Sequence, residues 1–209
     1  MKPAALLFDF NGTLSDDEHI QCEIYQEIFA EAGRPLAATE YFEQLAGLSD
    51  PEIVRTWLGE DRPELVAERV RRYQSRAGDG LTVKPSTREG VRYAAQRAEL
   101  AVVSGAARTE IESVLVAAEL TPFVSLVVAA EDVAAGKPDP AGYIRALELL
   151  DCGPDQALAF EDSEAGVVAA EAAGLYCIAL EGTAEIERLG AADEVVGTLD
   201  VRLMQRLLG

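Results

Sequence analysis

Three apolar runs of this 209-residue chain each end on polar side chains. Asp9 follows residues 4–8, Ser104 follows 100–103, and the pair Glu161-Asp162 follows 157–160. Lys137, one of only three lysines with Lys2 and Lys84, lies between the second and third of these positions. A single aspartate after a strand is ordinarily a turn or helix cap. Three separate runs ending on reactive groups call for a different reading. Parallel strands deliver the residues at their carboxyl ends to one edge of the sheet, where open α/β sheets bind ligands. A carboxylate there can act as a nucleophile or hold a hard cation.

The pattern that must position these groups alternates strand and helix. Residues 4–8 read as a buried strand followed by a tight turn at Asn11-Gly12. After Pro85 the expectation is helix 87–97, strand 100–103, helix 109–118 and strand 125–129. Helix 140–150, strand 157–160, helix 165–173 and strand 175–180 follow, then a weak strand 194–196 and a short helix 199–208. Between Asp16 and Gly80 only helical patterns occur, at 16–32, 39–46, 50–58 and 63–76, with Pro51 and Pro63 near helix starts. The predicted fold is α/β. It has a Rossmann-like, doubly wound parallel sheet core from residues 1–15 and 82–209, with an all-helical insert over 16–81.

Composition narrows the function. The net charge of −19 leaves no basic footprint for nucleic acid. The one arginine-dense stretch, Arg69, Arg71, Arg72 and Arg76, reads as a solvated helix face. A single histidine, His19, argues against a Ser-His-Asp triad or a histidine-rich zinc site. Cys22, Cys152 and Cys177 lack metal-binding spacing and read as thiols in a reducing compartment. No apolar run approaches the ~20 residues that span a bilayer, and Asp9 comes too early for a signal peptide. The expectation is a soluble cytoplasmic protein, monomer or homodimer, that binds neither nucleic acid nor membrane.

The segment Asp9-Phe10-Asn11-Gly12-Thr13-Leu14 resembles the DxDGT signature of the haloacid dehalogenase superfamily. Ser104, Lys137 in Gly136-Lys137-Pro138, and Glu161-Asp162-Ser163 with Gly166 match that superfamily's second, third and fourth motifs in order. The helical insert resembles the small cap of its β-phosphoglucomutase-like branch. The resemblance implies a phosphohydrolase that acts on a small phosphorylated molecule through an aspartyl-phosphate on Asp9. Mg²⁺ is the implied cofactor, because a phosphate dianion will not approach bare carboxylates and Mg²⁺ suits oxygen ligands. The implied metal ligands are Asp9, Asp162 and the Asn11 carbonyl, with Glu161 binding directly or through water. Ser104 and Gly105 would hold phosphoryl oxygens, and Lys137 would neutralise the nucleophile and phosphoryl charge. Gly12 would permit close backbone approach, Thr13 would brace the loop, and Arg108 could face substrate.

The sequence departs from the signature at Asn11. Phosphatases of the superfamily carry an Asp there as general acid and base, and an amide cannot do that work near neutral pH. Losing it costs about 10²–10⁴-fold, so turnover would slow rather than vanish. Leaving groups that need no proton, such as acyl and aryl phosphates, would be favoured. Two alternatives follow: a phosphate-ligand-binding homologue with little turnover, and dehalogenase- or phosphonatase-type chemistry. In the insert, Ala46 and Asp50 stand where the mutases bind a second phosphate, which disfavours a sugar-phosphate mutase. His19 reads as a helix-surface residue near the ligand, and Tyr25, Trp57 and Tyr73 as packing of the insert.

Overall fold

The structure is a computed structural model that describes residues 2–209. Six strands, β1 (Ala5–Phe8), β2 (Glu99–Val103), β3 (Leu126–Val128), β4 (Ala157–Glu161), β5 (Tyr176–Leu180) and β6 (Glu194–Val196), form one sheet. Their order is β3-β2-β1-β4-β5-β6, and every pairing is parallel. This is the doubly wound arrangement, in which the connections reverse direction beside β1 and open a crevice at the strands' carboxyl ends. Phe8 pairs with both Val102 and Phe160, so Asp9, Ser104 and Asp162 emerge together at that crevice.

Alternation along β1 explains the two cores. Leu6 and Phe8 face one side, packing with residues of α5 (Pro85–Ala94), α6 (Arg108–Ala117) and α9 (Val201–Leu208). Ala5 and Leu7 face the other, against α7 (Ala141–Leu149) and α8 (Glu164–Ala172). Side chains on a strand point alternately to opposite faces, so an unbroken apolar run suits a strand covered on both. Phe8 also stacks on Phe160 of the neighbouring strand, with centroids 4.7 Å apart.

Four helices lie between β1 and α5: α1 (Glu18–Glu31), α2 (Ala38–Gln44), α3 (Asp50–Leu58) and α4 (Pro63–Ala77). Among the described residues, 16–81 contain no strand. Tyr25, Phe29, Tyr41, Trp57 and Tyr73 are buried in the same continuous cluster as Leu6 and Phe8. The Ser49 backbone amide donates to Glu52 at 3.1 Å where α3 begins, and Gly59, at φ +81°, ends that helix. The two chain segments that join the insert to the sheet are tied together. The Ser15 hydroxyl donates to Thr82 Oγ1 at 2.7 Å, and the Asp16 amide donates to the Thr82 carbonyl at 2.9 Å.

Several boundaries differ from expectation. α1 begins at Glu18 rather than Asp16, because Asp17 turns inward to other donors and does not cap the helix. β3 contracts to Leu126–Val128, and α5 ends at Ala94. No helix among the described residues is long and apolar enough to cross a membrane.

Candidate active site

Asp9 continues the β1 ladder, its amide donating to the Phe160 carbonyl at 2.9 Å, while its side chain meets Lys137. The Lys137 ammonium lies 2.5 Å from Asp9 Oδ1 and 2.6 Å from Glu161 Oε1. Tyr143 of α7 donates its hydroxyl to the same Glu161 oxygen. The other, Oε2, is buried without a partner and occupies the space where a side chain on Gly166 would be, 1.8 Å from an added Cβ. Thr13 donates its hydroxyl to Asp162 Oδ1 at 3.1 Å. Gly12 is at φ +76°, and a Cβ there would lie 1.8 Å from Asp162 Oδ2, so the loop needs glycine for conformation and for space. Ser104 Oγ accepts from the Ala106 amide at 3.1 Å, while Gly105 packs against Ser49 of the insert.

Burial governs the electrostatics. It pushes the Asp9, Glu161 and Asp162 carboxyls up, Glu161 to about 7, with Lys137 working in the opposite direction on Asp9 and Glu161. For Lys137 burial acts to lower the ammonium, but Asp9 and Glu161 outweigh it and hold the group above its ordinary value. Asp9, Glu161 and Asp162 each present an oxygen within 4.8 Å of the others. Three buried carboxylates against one ammonium leave excess negative charge, and the donors are hard oxygens. That set fits a divalent hard cation.

The insert closes over this edge. A cavity of about 40 Å³ is lined by Asp9, Asn11, Ser104 and Asp162 from the sheet side, and by Glu18, Gln21, Tyr25, Tyr41, Asp50 and Arg69 from the insert. Metabolite sites typically measure about 300–1,000 Å³, larger than this cavity. The Tyr25 hydroxyl donates to Asp50 Oδ1 at 2.6 Å, and the Tyr41 hydroxyl donates to Glu18 Oε1 at 2.6 Å. Tyr73 donates to Asp17. Thus Trp57 and Tyr73 pack the insert, whereas Tyr25 packs and also reaches the cavity wall.

Arg69 corrects the reading of its helix. It is 3% exposed and donates to Glu110 of α6 and to Gln21 of α1. Its Nε lies 3.3 Å from Asp50 Oδ1, and its guanidinium covers the Tyr73 ring. Arg71, Arg72 and Arg76 do form the expected outer face, paired with Glu68, Glu27 and Glu31. Arg108 is also placed elsewhere: its guanidinium binds Asp132 and the Val127 carbonyl, away from the residues that line the cavity. His19 is exposed beside a second cavity at the junction of insert and sheet. Glu18, Gln21, Tyr41, Arg69 and Tyr143 were not legible as site residues. Only Glu18, in the acidic run 16–18, stood near a motif.

Residues 6–180 match the family of haloacid dehalogenase-like hydrolases, and the chain belongs to that family. It is a hydrolase of the phosphatase type, as its relatives are. It is 30% identical to validoxylamine A 7'-phosphate phosphatase of Streptomyces hygroscopicus subsp. limoneus, over 92% of each chain. It is 28% identical to a phosphorylated carbohydrates phosphatase of Thermotoga maritima, over 82% of each. Among solved structures, an Asp-to-Asn mutant of CbbY from Rhodobacter sphaeroides in complex with xylulose-1,5-bisphosphate superposes with a TM-score of 0.84 at 27% identity. The match covers 94% of this chain and 95% of that one.

Proposed function

We propose that the protein is a Mg²⁺-dependent phosphohydrolase that cleaves the phosphate monoester of a small, hydroxyl-rich metabolite through an aspartyl-phosphate on Asp9. The observation that carries this reading is the Lys137 ammonium, within 2.6 Å of both Asp9 and Glu161 at the carboxyl edge of the sheet. Asp9 attacks phosphorus, Lys137 offsets the charge that gathers there, and Ser104 and the Gly105 amide hold phosphoryl oxygens. Asp9 and Asp162, with the Asn11 carbonyl and with Glu161 directly or through water, would hold Mg²⁺, which neutralises phosphoryl charge when bound. Residues 16–81 act as a cap on a core of 1–15 and 82–209, hinged near the Ser15–Thr82 tie.

The wall of the insert supports the substrate class. Gln21, Tyr25, Tyr41 and Asp50 offer hydroxyl- and amide-matched contacts, while the one arginine, Arg69, is engaged by Glu110, Gln21 and Asp50. A second phosphate finds no free cation on this wall, which favours a monophosphate. The names of two relatives, a validoxylamine 7'-phosphate phosphatase and a phosphorylated carbohydrates phosphatase, support the same class. Free thiols at Cys22, Cys152 and Cys177 suit a reducing, cytoplasmic setting. Asn11 favours a second reading, in which the protein binds phosphate ligands with little turnover.

Phosphate release from a panel of sugar phosphates, p-nitrophenyl phosphate and acetyl phosphate tests the proposal. Mg²⁺-dependent release that is lost in Asp9→Ala is expected. Mg²⁺-dependent binding without release, even at high protein concentration, would replace it with the second reading. Halide release indifferent to chelator would point to dehalogenase chemistry.

A further inference from the structure

Asn11 leaves the site without a proton carrier at its usual place, and the amide is held by both oxygens of Asp17. The cavity wall offers four carboxyl side chains: Asp9, Asp162, Asp50 and Glu18. Asp9 is the nucleophile, and Asp162 belongs to the metal cluster. Asp50 is already engaged on the insert, accepting from Tyr25 at 2.6 Å and lying 3.3 Å from the Arg69 Nε. Glu18 remains. Only Tyr41 donates to it, at Oε1, and its second oxygen has no protein partner among the described residues.

We propose that Glu18 replaces the missing acid and base: it protonates the leaving oxygen as Asp9 attacks phosphorus, then deprotonates the water that cleaves the aspartyl-phosphate. The inference rests on the phosphohydrolase reading above. In the first step the bond from Asp9 to phosphorus forms, the ester P–O bond breaks, and the Glu18 proton passes to the departing alkoxide. In the second, water oxygen attacks phosphorus, the Asp9–phosphorus bond breaks, and the water proton returns to Glu18. The cycle is balanced with water alone as co-reactant.

Two further observations support the assignment. Glu18 lines the catalytic cavity and also the second cavity, of about 190 Å³, whose wall includes the exposed His19. It therefore stands between the reacting groups and a route by which a proton reaches solvent. Its setting also matches the task. Burial raises its carboxyl, the Tyr41 hydrogen bond lowers it, and the charges of Asp17 and Asp9 raise it, giving about 7. A carrier near the working pH serves as both acid and base. The groups that face it are Tyr41 of α2, Arg69 of α4, Asp9 after β1 and Asp162 after β4. Asp17 precedes it, Cys22 lies one turn on along α1, and the second cavity is lined with it by Asp16, His19, Lys84 and Glu181, with Lys84 paired to Asp16. Because Glu18 sits in the first turn of α1, beside the hinge, closure of the insert delivers the proton carrier with the wall it belongs to.

The test compares wild type, Glu18→Gln, Glu18→Asp, Asn11→Asp and the double variant Glu18→Gln/Asn11→Asp, with Mg²⁺, on glycerol 1-phosphate and p-nitrophenyl phosphate. Glu18→Gln should lower turnover of the alkyl ester by about 10²–10⁴-fold. Its first turnover of p-nitrophenyl phosphate should be nearly unchanged, because nitrophenolate leaves without a proton, and phosphorylated Asp9 should then accumulate. Glu18→Asp should keep more activity than Glu18→Gln, and Asn11→Asp should raise alkyl-ester turnover by a larger factor in the Glu18→Gln background than in wild type, which a purely structural role would not allow. Equal losses in the burst and in turnover, no larger factor in the Glu18→Gln background, or a Glu18→Gln variant as active as wild type would overturn the assignment. Wild-type protein that releases no more phosphate than Asp9→Ala would instead defeat the phosphohydrolase reading, and Glu18 with it.

Discussion

The side-chain amide of Asn11 donates to both carboxylate oxygens of Asp17, at 3.2 and 3.1 Å. Tyr73 of α4 donates to the same carboxylate, so the catalytic loop, the start of α1 and the inner face of α4 share one buried network. Burial raises Asp17 to about 6, against the hydrogen bonds from Tyr73 and Asn11. An amide suits this place because it donates to Asp17 at any pH. The asparagine thus has a structural partner as well as a catalytic cost.

Asn11→Asp should consequently lower stability, since two adjacent buried carboxyls cannot both ionise. The loss should be about 1.5–3 kcal/mol near neutral pH, the worth of a hydrogen bond to a charged group. It should shrink in acid, where the pair holds a proton. Urea unfolding near pH 8 and near pH 5 measures it. A variant as stable as wild type at both would show that the amide contact contributes nothing.

Arg69 and Arg71 stand two residues apart on α4 and should behave in opposite ways. Arg69→Met strands Glu110 and Asp50 in the interior and should cost about 3–5 kcal/mol. Burial holds Glu110 at about 7 despite Arg69, so part of that loss should be recovered near pH 5 by its protonation. Arg71 is exposed and paired with Glu68, so Arg71→Ala should cost about 0–1 kcal/mol. Chemical denaturation of the two variants decides the matter, and equal effects would contradict the placement of Arg69.

The metal-free protein should be more stable near pH 5 than near pH 8. Asp17 at about 6, and Glu18, Glu110 and Glu161 at about 7, all hold their protons more tightly in the folded chain than in the unfolded one. Folding therefore takes up protons between the unfolded values near 4 and the raised ones. Stability is greatest below that window and falls as pH rises through it. Mg²⁺ binds the ionised carboxylates, so it should raise the unfolding temperature more near pH 8, by about 2.7 kcal/mol of stability at a hundredfold excess over Kd. Unfolding in EDTA and in Mg²⁺ at both pH values checks it, and a Mg²⁺ effect larger in acid would contradict the carboxylate site.

Lys137→Met should lower turnover by about 10²–10³-fold, the usual cost of one group that stabilises transition-state charge. It would also leave Asp9 and Glu161 facing each other without the ammonium, so the variant should gain more stability from acid than wild type does. Activity and melting measured in parallel separate the two effects, and unchanged turnover would remove Lys137 from the reaction.

The sheet is legible because its strands are short apolar runs, three of which, β1, β2 and β4, end at polar residues, and fully covered strands need no alternation. That punctuation marks Asp9, Ser104 and Asp162, the motif resemblance marks Lys137, and the structure brings all four to one edge. The wall of the insert was not legible. Arg69 has the same spacing as its exposed neighbours, and only the packing of α4 on α1 and α6 turns it inward. Glu18 and Asp17 looked like ordinary acidic residues of a first helical turn, yet Asp17 points back to Asn11 and Tyr73. Arg108, one turn beyond Ser104, was diverted by Asp132 and the Val127 carbonyl, partners more than a dozen residues away in sequence.

Trapping the intermediate shows whether Asp9 carries the phosphoryl group. The protein is incubated with acetyl phosphate and Mg²⁺, quenched in acid and digested, and its peptides are analysed by mass spectrometry. A phosphoryl group on Asp9 that requires Mg²⁺ and is absent from Asp9→Asn is expected. Phosphate release that continues undiminished in Asp9→Asn, or a phosphoryl group on another side chain such as Ser104, would contradict an aspartyl-phosphate on Asp9.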